Sequence, residues 1–358
     1  MSDEPGRDDR VHRSSLIVHR SSHLSPSVVI DGRPLVGNRT GISVHTAEIA
    51  RRLGSVPLIA SHAEIADRSG LEHCSFRVDR MPLGVLWQQL MLPRIDGDVL
   101  WAPHGTLPLA WRRPSVVTVH DFTSLTMPGR HRLKTILSFN LFVARSLEQA
   151  SRIACVSRAV ADRAMRSFGV DAAKIEIVPN GVDDFFSPGG DESDYVLFTG
   201  TLEPRKGLAD LLAVWRTLVP RPRLILCGDA GWGTKIASEP GLEMTGYVTR
   251  ERLRELYRGA RAFVYPSLYE GFGIPPLEAM ACGAPVIATR TGAIPEFAGD
   301  AAVLIEPGDR VALRAALVRV LGEAGVREEL RARGPARAAL YRWDRSAELM
   351  NGLLESAR

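Results

Sequence analysis

Two glutamates, Glu270 and Glu278, are eight positions apart in the stretch YEGFGIPPLEAM, residues 269–280. The stretch follows an apolar run, and Gly271 and Gly273 allow close approach of the backbone to a ligand. Because proline suits the first turn of a helix, we expect Glu270 in a loop and Glu278 in the first turns of a helix. Two carboxylates beside backbone N–H groups suit a ligand with hydroxyls and phosphates. Alternatively, Glu278 only complements the helix dipole and Glu270 is an exposed loop acid.

A second candidate is the adjacent basic pair Arg205 and Lys206 in GTLEPRKG, residues 200–207. The pair follows a predicted strand and precedes a predicted helix. A guanidinium offers two parallel hydrogen bonds, and an ammonium group adds a mobile point charge. The turn is therefore predicted to bind a diphosphate, with a solvated basic turn as the alternative.

The first half of the chain contributes a histidine and a glycine-rich turn. His120 and Asp121 come where the run SVVTVH ends, and Asp121 could orient His120 or cap the next segment. His120 is either a functional residue or a satisfied structural one. Gly32, Gly37 and Gly41 precede an amphipathic segment, so backbone N–H groups there could approach an anion. The alternative is an ordinary strand-to-helix turn.

The elements that position these residues can be predicted from the sequence. Apolar runs alternate with helix-length segments, which predicts a doubly wound parallel α/β sheet. The strands predicted in the first half are 27–31, 56–60, 98–102, 115–120, 152–157 and 174–179, and those in the second half are 195–200, 223–228, 242–246, 262–266, 285–289 and 302–306. Helices are predicted at Val44–Leu53 and Leu133–Gln149, and from Arg310 to Arg358. The candidate residues come at the carboxyl ends of strands, where such sheets bind ligands.

The pattern breaks once, at PNGVDDFFSPGGDESD, residues 179–194, where Pro, Gly and Asp cluster as in a linker. We therefore expect two Rossmann-like halves facing each other across a cleft. The predicted boundaries are a disordered leader at 1–26, an amino-terminal domain at 27–183, a carboxyl-terminal domain at 184–335 and a final helix at 336–358.

Composition and charge exclude several other classes of protein. The chain has 358 residues, 45% of them hydrophobic, and four scattered cysteines without metal-site spacing, which fits a reducing cytoplasm. No apolar run is long enough to predict a membrane span.

The stretch from Arg130 to Arg166 has seven Arg and one Lys against two acids, which is either a solvated helical face or a surface for anionic lipid. Aromatic residues are not interleaved there, which disfavours nucleic-acid binding.

Several of these segments together resemble the retaining glycosyltransferases of family 4, and in particular bacterial mannosyl- and rhamnosyltransferases of surface-polysaccharide assembly. The resemblance rests on the E-x7-E pattern from Glu270 to Glu278, the Arg-Lys turn at 200–207, PNGVD at 179–183 and TRTGAIPEFAGDAAVLIEPGD at 289–309. It covers roughly residues 27–350. It implies the GT-B fold: two Rossmann-like domains across a cleft, with a carboxyl-terminal helix that crosses back to the first domain. It also implies that the first domain binds the acceptor and the second the nucleotide-sugar donor.

The resemblance also implies roles for individual residues. His120, Glu270, Arg205 and Lys206 match the catalytic positions, where Arg205 and Lys206 face the donor diphosphate and His120 lies near the sugar. Glu278 matches the acid that binds the ribose hydroxyls. The further implied donor-binding residues are Gly41, Gly200, Tyr247, Val248, Gly271, Phe272, Gly273 and Ile274. The family's glycine loop usually ends in a glycine where this chain has Ser43 in TGISVH.

The implied reaction is transfer of a hexose from a nucleotide sugar, with GDP-mannose the favoured donor, to a glycan or lipid-linked sugar. Arg205 and Lys206 would stabilise the leaving diphosphate without a metal or other cofactor. Retention by same-face departure and attack is favoured over a double displacement through Glu270. The expected location is the cytoplasm, with peripheral contact at an anionic membrane, and no nucleic-acid partner.

Two alternatives remain at the level of sequence. One is a sugar-nucleotide epimerase or glycan phosphorylase on the same fold. The epimerase gives no reason for the E-x7-E pattern together with the Arg-Lys pair, and a phosphorylase with pyridoxal phosphate needs a Schiff-base lysine, whereas lysine is scarce in this chain. The other is a non-catalytic partner subunit that only binds nucleotide. The presence of every matching charged residue argues against the second.

Overall fold

The computed structural model describes residues 28–37, 40–123, 142–229, 231 and 236–358. The predicted leader at 1–26 lies outside the described residues. The predicted helix Leu133–Gln149 and the basic stretch from Arg130 lie partly outside them, and residues 142–149 are helical.

The first half of the chain forms a parallel sheet of seven strands in the order β3-β2-β1-β4-β5-β6-β7. The strands are β1 Val28–Asp31, β2 Leu58–Ser61, β3 Ser75–Val78, β4 Val99–Ala102, β5 Ser115–Val119, β6 Arg152–Cys155 and β7 Ile175–Ile177. The sequence missed β3, because this edge strand is only partly buried and Arg77 interrupts its apolar pattern. Its backbone pairs with β2 nonetheless.

The second half forms a parallel sheet of six strands in the order β10-β9-β8-β11-β12-β13. The strands are β8 Tyr195–Thr199, β9 Arg223–Cys227, β10 Leu242–Gly246, β11 Ala262–Tyr265, β12 Val286–Thr289 and β13 Val303–Ile305. The predicted doubly wound α/β architecture is confirmed. Both orders reverse direction beside their first strand, which creates a crevice at the carboxyl edge.

Helices connect the strands and cover the sheets. They are α1 Gly41–Ala50, α2 Gly84–Leu90, α3 Arg158–Phe168, α4 Leu208–Trp215, α5 Arg250–Gly259, α6 Ile274–Ala281, α7 Ile294–Ala298, α8 Arg310–Gly322, α9 Ala324–Ala338 and α10 Trp343–Ser356. Within the described part of the chain, no helix is both long and apolar enough to cross a membrane.

The last helix, α10, returns to the first sheet. It packs on α1, β5 and β6, and its buried residues Trp343 and Met350 share a core cluster with Val28. Arg52 on the first half pairs with Asp344 at 2.9 Å. The predicted crossing of the carboxyl-terminal helix back to the first domain is confirmed.

The carboxyl edges of the two sheets face each other and touch. The Ser157 hydroxyl, at the end of β6, donates a 2.9 Å hydrogen bond to the carbonyl oxygen of Gly271, which follows β11. The Glu296 carboxylate, on α7, accepts hydrogen bonds from the backbone N–H groups of Arg158 and Ala159 at 3.2 and 3.1 Å. The strand-end residues of both halves therefore meet in one cleft.

Candidate functional site

The loop with Glu270 connects β11 to α6 and reaches across to the first sheet. A Cβ atom on Gly271 would overlap the carbonyl oxygen of His120. Glycine at 271 therefore lets the two backbones touch, and Glu270 is placed beside the strand end that carries His120.

The helix that carries Glu278 begins where its sequence predicted. Gly273 precedes α6 with a φ of 95°, a left-handed conformation that favours glycine, and Pro275 and Pro276 lie in the first turn. Glu270 lies in the loop and Glu278 in the helix, as expected, so the two carboxylates occupy different environments.

The basic pair lies in a 3-10 turn, Pro204–Lys206, between β8 and α4. Gly207 ends this turn with a φ of 69°, and a Cβ there would overlap the carbonyl oxygen of Pro266, just after β11. This close approach brings Lys206 to Glu270: the Lys206 Nζ donates to Glu270 Oε1 at 2.6 Å and to the Tyr265 hydroxyl oxygen at 2.8 Å.

The cluster of Arg205, Lys206 and Glu270 is an ionic group in a nearly water-free place. Lys206 and Glu270 are each 8% exposed, and Arg205 Nη1 lies 3.6 Å from Glu270 Oε1. Burial would raise the pKa of Glu270, but Lys206 and Arg205 outweigh it and hold the pKa below its usual value. Burial and Arg205 lower the pKa of Lys206, against the opposing effect of Glu270.

Arg205 is oriented by a second acid. Its Nε donates to Glu203 Oε2 at 2.9 Å. Burial opposes its charge, but Glu270 and Glu203 raise its pKa, so the guanidinium stays protonated. Three cation-acid contacts therefore fix two positive groups at the cleft, and such preorganised charge suits a diphosphate.

Glu278 belongs to a different hydrogen-bond chain. The Tyr257 hydroxyl lies 3.1 Å from Glu278 Oε2 and 3.1 Å from the Thr199 hydroxyl. Burial raises the pKa of Tyr257 well above its usual value, and Glu278 adds to the effect. Tyr257 therefore stays protonated and can donate to the Glu278 carboxylate, which fixes that carboxylate in an orientation for accepting further hydroxyls.

His120 is uncharged and fixed in the first domain. Its Nε2 lies 2.9 Å from the Pro103 carbonyl oxygen, which can only accept, so Nε2 carries the proton. Burial lowers the pKa of His120 to about 4. Asp121 caps the next segment, since its Oδ1 accepts from the Thr123 N–H at 2.9 Å.

The glycine turn of the first domain also reaches the cleft. Gly41 begins α1, and a Cβ on it would be 3.9 Å from Ile274 Cδ1 of the second domain. Ser43 completes a capping box, because its hydroxyl accepts from the Thr40 N–H at 2.6 Å and the Thr40 hydroxyl accepts from the Ser43 N–H. The serine that departs from the family pattern therefore fixes the start of α1.

The other predicted donor-binding residues lie at the same edge but in different surroundings. Phe272 packs its ring on Phe297, with 5.3 Å between centroids, so its side chain belongs to the core. Gly200 follows β8, against Gly228. Tyr247 and Val248 follow β10, beyond β9, and Tyr247 is 64% exposed. None of these four takes part in the ionic cluster that the structure describes around Glu270.

Sequence reasoning missed four groups that complete the site: Tyr265, Tyr257, His45 and Asn180. His45 is fully buried, with Nδ1 2.7 Å from Asn180 Oδ1 and its ring edge-on to His120 at 4.7 Å. Asn180 lies in the quoted PNGVD motif, which was a signal for it. Tyr265 lies inside an apolar strand and Tyr257 on a charged amphipathic helix, so nothing in the sequence marks either as a site residue.

Comparisons with known proteins agree with this geometry. Residues 65–184 match the family described as Glycosyltransferase Family 4, and residues 193–323 match the family described as Glycosyl transferases group 1. The O-antigen chain mannosyltransferase B of Escherichia coli is 33% identical over 298 residues, 74% of this chain and 78% of that protein. The O-antigen chain mannosyltransferase RfbU of Salmonella typhimurium is 29% identical, over 61% of this chain and 63% of that protein.

Solved structures show the same fold at low identity. Sucrose-phosphate synthase from Thermosynechococcus elongatus superposes with a TM-score of 0.75 at 19% identity, over 93% of this chain and 98% of that one. HepE of Anabaena, in complex with UDP and glucose, gives a TM-score of 0.74 at 20% identity, over 92% of this chain and 99% of that one. Two facing Rossmann-like sheets and the two family matches lead to one conclusion: the chain belongs to glycosyltransferase family 4 and is a hexosyltransferase of the GT-B fold.

Proposed function

We propose that the protein transfers mannose from GDP-mannose to a glycan or lipid-linked sugar, with retention of the anomeric configuration and without a metal ion. The observation that carries the proposal is the pairing of Lys206 and Arg205 with Glu270 at the cleft, opposite the uncharged His120. Two fixed cations suit the charge that develops on a departing nucleoside diphosphate.

Each group has a separate task in this proposal. Arg205 and Lys206 bind the diphosphate, and Glu278 accepts hydrogen bonds from the ribose hydroxyls. Glu270 orients Lys206 and lies at the sugar end of the site. His120, protonated on Nε2, leaves Nδ1 as an acceptor for a hydroxyl of the transferred sugar.

The relatives support mannose as the transferred sugar. Both O-antigen relatives are named mannosyltransferases, and an MMP alpha-(1->4)-mannosyltransferase from Mycolicibacterium hassiacum is 32% identical over 60% of this chain. The HepE structure binds UDP and glucose, so UDP-glucose is the informative competing donor.

The donor is tested by incubating the purified protein with GDP-mannose, GDP-fucose, UDP-glucose and UDP-galactose, without acceptor. We expect slow hydrolysis and thermal stabilisation with GDP-mannose above all. Selective response to a UDP-sugar would contradict the donor assignment, and no response to any nucleotide sugar would contradict transferase activity. In a second reaction that includes a glycan acceptor, undiminished turnover in EDTA and an α-linked product, read by NMR, are the outcomes expected for metal-independent retention.

Arg205 provides a sharper test of the diphosphate site. Arg205→Ala should weaken GDP binding by about 1.5–3 kcal/mol, roughly tenfold to 150-fold, because a charge-assisted contact is lost. Arg310→Ala is the matched control, since Arg310 is an exposed arginine of the same domain that pairs with Asp210. Isothermal titration with GDP measures both, and equal affinity of the two variants would remove Arg205 from the site.

The proposal includes peripheral contact with an anionic membrane. The stretch from Arg130 to Arg166 carries excess positive charge, and α2 exposes Val85, Leu86 and Leu90 on the same domain. Anionic vesicles should retain the protein and salt should release it. Equal retention on neutral vesicles would contradict an electrostatic cause.

A further inference from the structure

A row of polar side chains extends from His120 along the carboxyl edge of the first sheet. Neighbouring strands β2, β1, β4 and β5 end in this edge. His62 follows β2, Asp31 ends β1, with Arg33 two residues on, His104 follows β4, and His120 follows β5. Three steps between strands, each about 4.8 Å, make the row about 14 Å long.

The middle of the row is a buried and rigid pair. Asp31 is fully buried, and its carboxylate accepts from Arg33 Nε at 3.0 and 2.9 Å and from Arg33 Nη2 at 2.7 Å. The Thr106 hydroxyl accepts from the same Nη2 at 3.2 Å. These bonds fix Arg33 in place, and Asp31 balances its charge. The bonds to Asp31 and Thr106 use Nε and Nη2 of Arg33 and not Nη1.

The two flanking histidines follow the ends of their strands and differ in exposure. His104 is accessible to solvent although many protein groups surround it, as expected for a side chain on the wall of a cleft. His62 is partly buried, and its Nδ1 is buried without a hydrogen-bond partner among the described residues. Burial, with Arg33 nearby, lowers the pKa of both His62 and His104, so both rings are neutral at pH 7.

We propose that this row, His104, Arg33 and His62 in order from His120, is the acceptor site and binds an uncharged oligosaccharide of more than one sugar residue. Neutral imidazoles both donate and accept hydrogen bonds, and so do sugar hydroxyls. A site for an anionic acceptor would present unbalanced positive charge, whereas here Asp31 neutralises Arg33. The inference rests on the proposed glycosyl transfer, with the donor bound beside His120.

The position of each histidine sets a dependence on acceptor length. His104 is one strand from His120 and meets the sugar residue next to the reaction centre. His62 is three strands away and meets only a more distant residue. Loss of His104 therefore weakens every acceptor, whereas loss of His62 weakens only long ones.

The experiment measures transfer from GDP-mannose to methyl α-mannoside, α-mannobiose and α-mannotriose, with donor hydrolysis followed separately. For His104→Ala, we expect the acceptor KM to rise about tenfold with all three, the effect of one lost hydrogen bond to a ligand. For His62→Ala, we expect the same rise with mannotriose alone. His73→Ala is the matched control, because His73 precedes β3 at the opposite edge of the sheet and bonds to the Ala50 carbonyl oxygen.

The outcomes separate this inference from the proposed function. Wild-type KM values in both variants would overturn the acceptor site. Donor hydrolysis without transfer to any of the three saccharides would overturn the neutral-saccharide assignment as well. Absence of donor hydrolysis with every nucleotide sugar would instead defeat the proposed function. Unfolding temperatures confirm that the variants fold.

Discussion

At the scale of residues, the site depends on charges that are buried together and compensate one another. Lys206 and Glu270 are both nearly inaccessible and share one short contact, with Tyr265 bonded to both. Removing one partner of a buried pair leaves an uncompensated charge, which costs far more than the pair contributes. Arg205, at 3.6 Å from Glu270, provides partial compensation if Lys206 is lost.

This compensation predicts the behaviour of three variants. Lys206→Met and Glu270→Gln should each lower the free energy of unfolding by about 3–5 kcal/mol, with the lysine variant at the lower end because Arg205 remains. The double variant should lose less free energy of unfolding than the two single variants together, because neither charge of the pair is left without its partner. Urea denaturation of the three variants measures the coupling, and strictly additive losses would contradict a direct Lys206–Glu270 interaction.

His120 predicts a dependence of stability on pH. Its pKa of about 4 in the folded protein is below the ordinary value of 6.5, so the unfolded chain binds more protons between these values. The contribution of neutral His120 to the free energy of unfolding is therefore complete above pH 6.5. It declines as the pH falls toward 4, by at most about 1.4 kcal/mol per pH unit for this one group.

The check on His120 is a pair of urea series at several pH values between 4 and 7. His120→Gln should have a shallower decline than the wild type, because glutamine does not titrate. His45, buried beside His120 and also with a lowered pKa, continues to contribute in both proteins. Identical slopes would show that His120 is not buried as described.

At the scale of elements, glycines determine how closely the loops approach. Gly271→Ala should force apart the β11–α6 loop and the end of β5, because the added methyl overlaps the His120 carbonyl oxygen. We expect a loss of about 1–3 kcal/mol in stability and at least tenfold slower transfer. Gly352→Ala is the control: it has open space on α10, and alanine in a helix interior stabilises by up to about 1 kcal/mol. Equal activity of the two variants would contradict the close contact.

Most elements follow from the sequence, and the exceptions have physical reasons. Buried strands such as Val99–Ala102 and Val286–Thr289 are continuous apolar runs, which the sequence marks clearly. The edge strand Ser75–Val78 is half exposed and has no such run. The short helix α2, Gly84–Leu90, exposes Val85, Leu86 and Leu90 to solvent, so its apolar residues do not form the one-sided stripe that predicts a helix.

At the scale of the whole molecule, hydrogen bonds between the halves hold the two sheet edges together. Glu296 accepts from two N–H groups at the start of α3, where the helix dipole favours a carboxylate. Glu296→Ala should weaken the association of the two halves by about 1–2 kcal/mol. The radius of gyration measured by small-angle scattering should then increase. The control is Glu329→Ala, an exposed acid on α9 whose ion pair, with Arg333 among the described residues, lies within its own half. An unchanged radius in both variants would contradict a role for Glu296 in closure.

The sequence by itself determined the residue types and the order of elements: two sets of strands, the E-x7-E pattern, the Arg-Lys turn and the histidine at a strand end. These are local properties, since apolar runs, glycines before helices and charged turns are read within a few positions. The proposed roles of the site residues and the domain boundaries remain predictions.

Only the tertiary structure decided which groups meet. Lys206 is 64 positions from Glu270 in the chain, and His120 is 151 positions from Gly271, yet both pairs are in contact. Such contacts depend on strand order and on the approach of two domains, which no local pattern encodes. For the same reason the polar row at His62, Arg33 and His104 became visible only when three neighbouring strands were placed side by side.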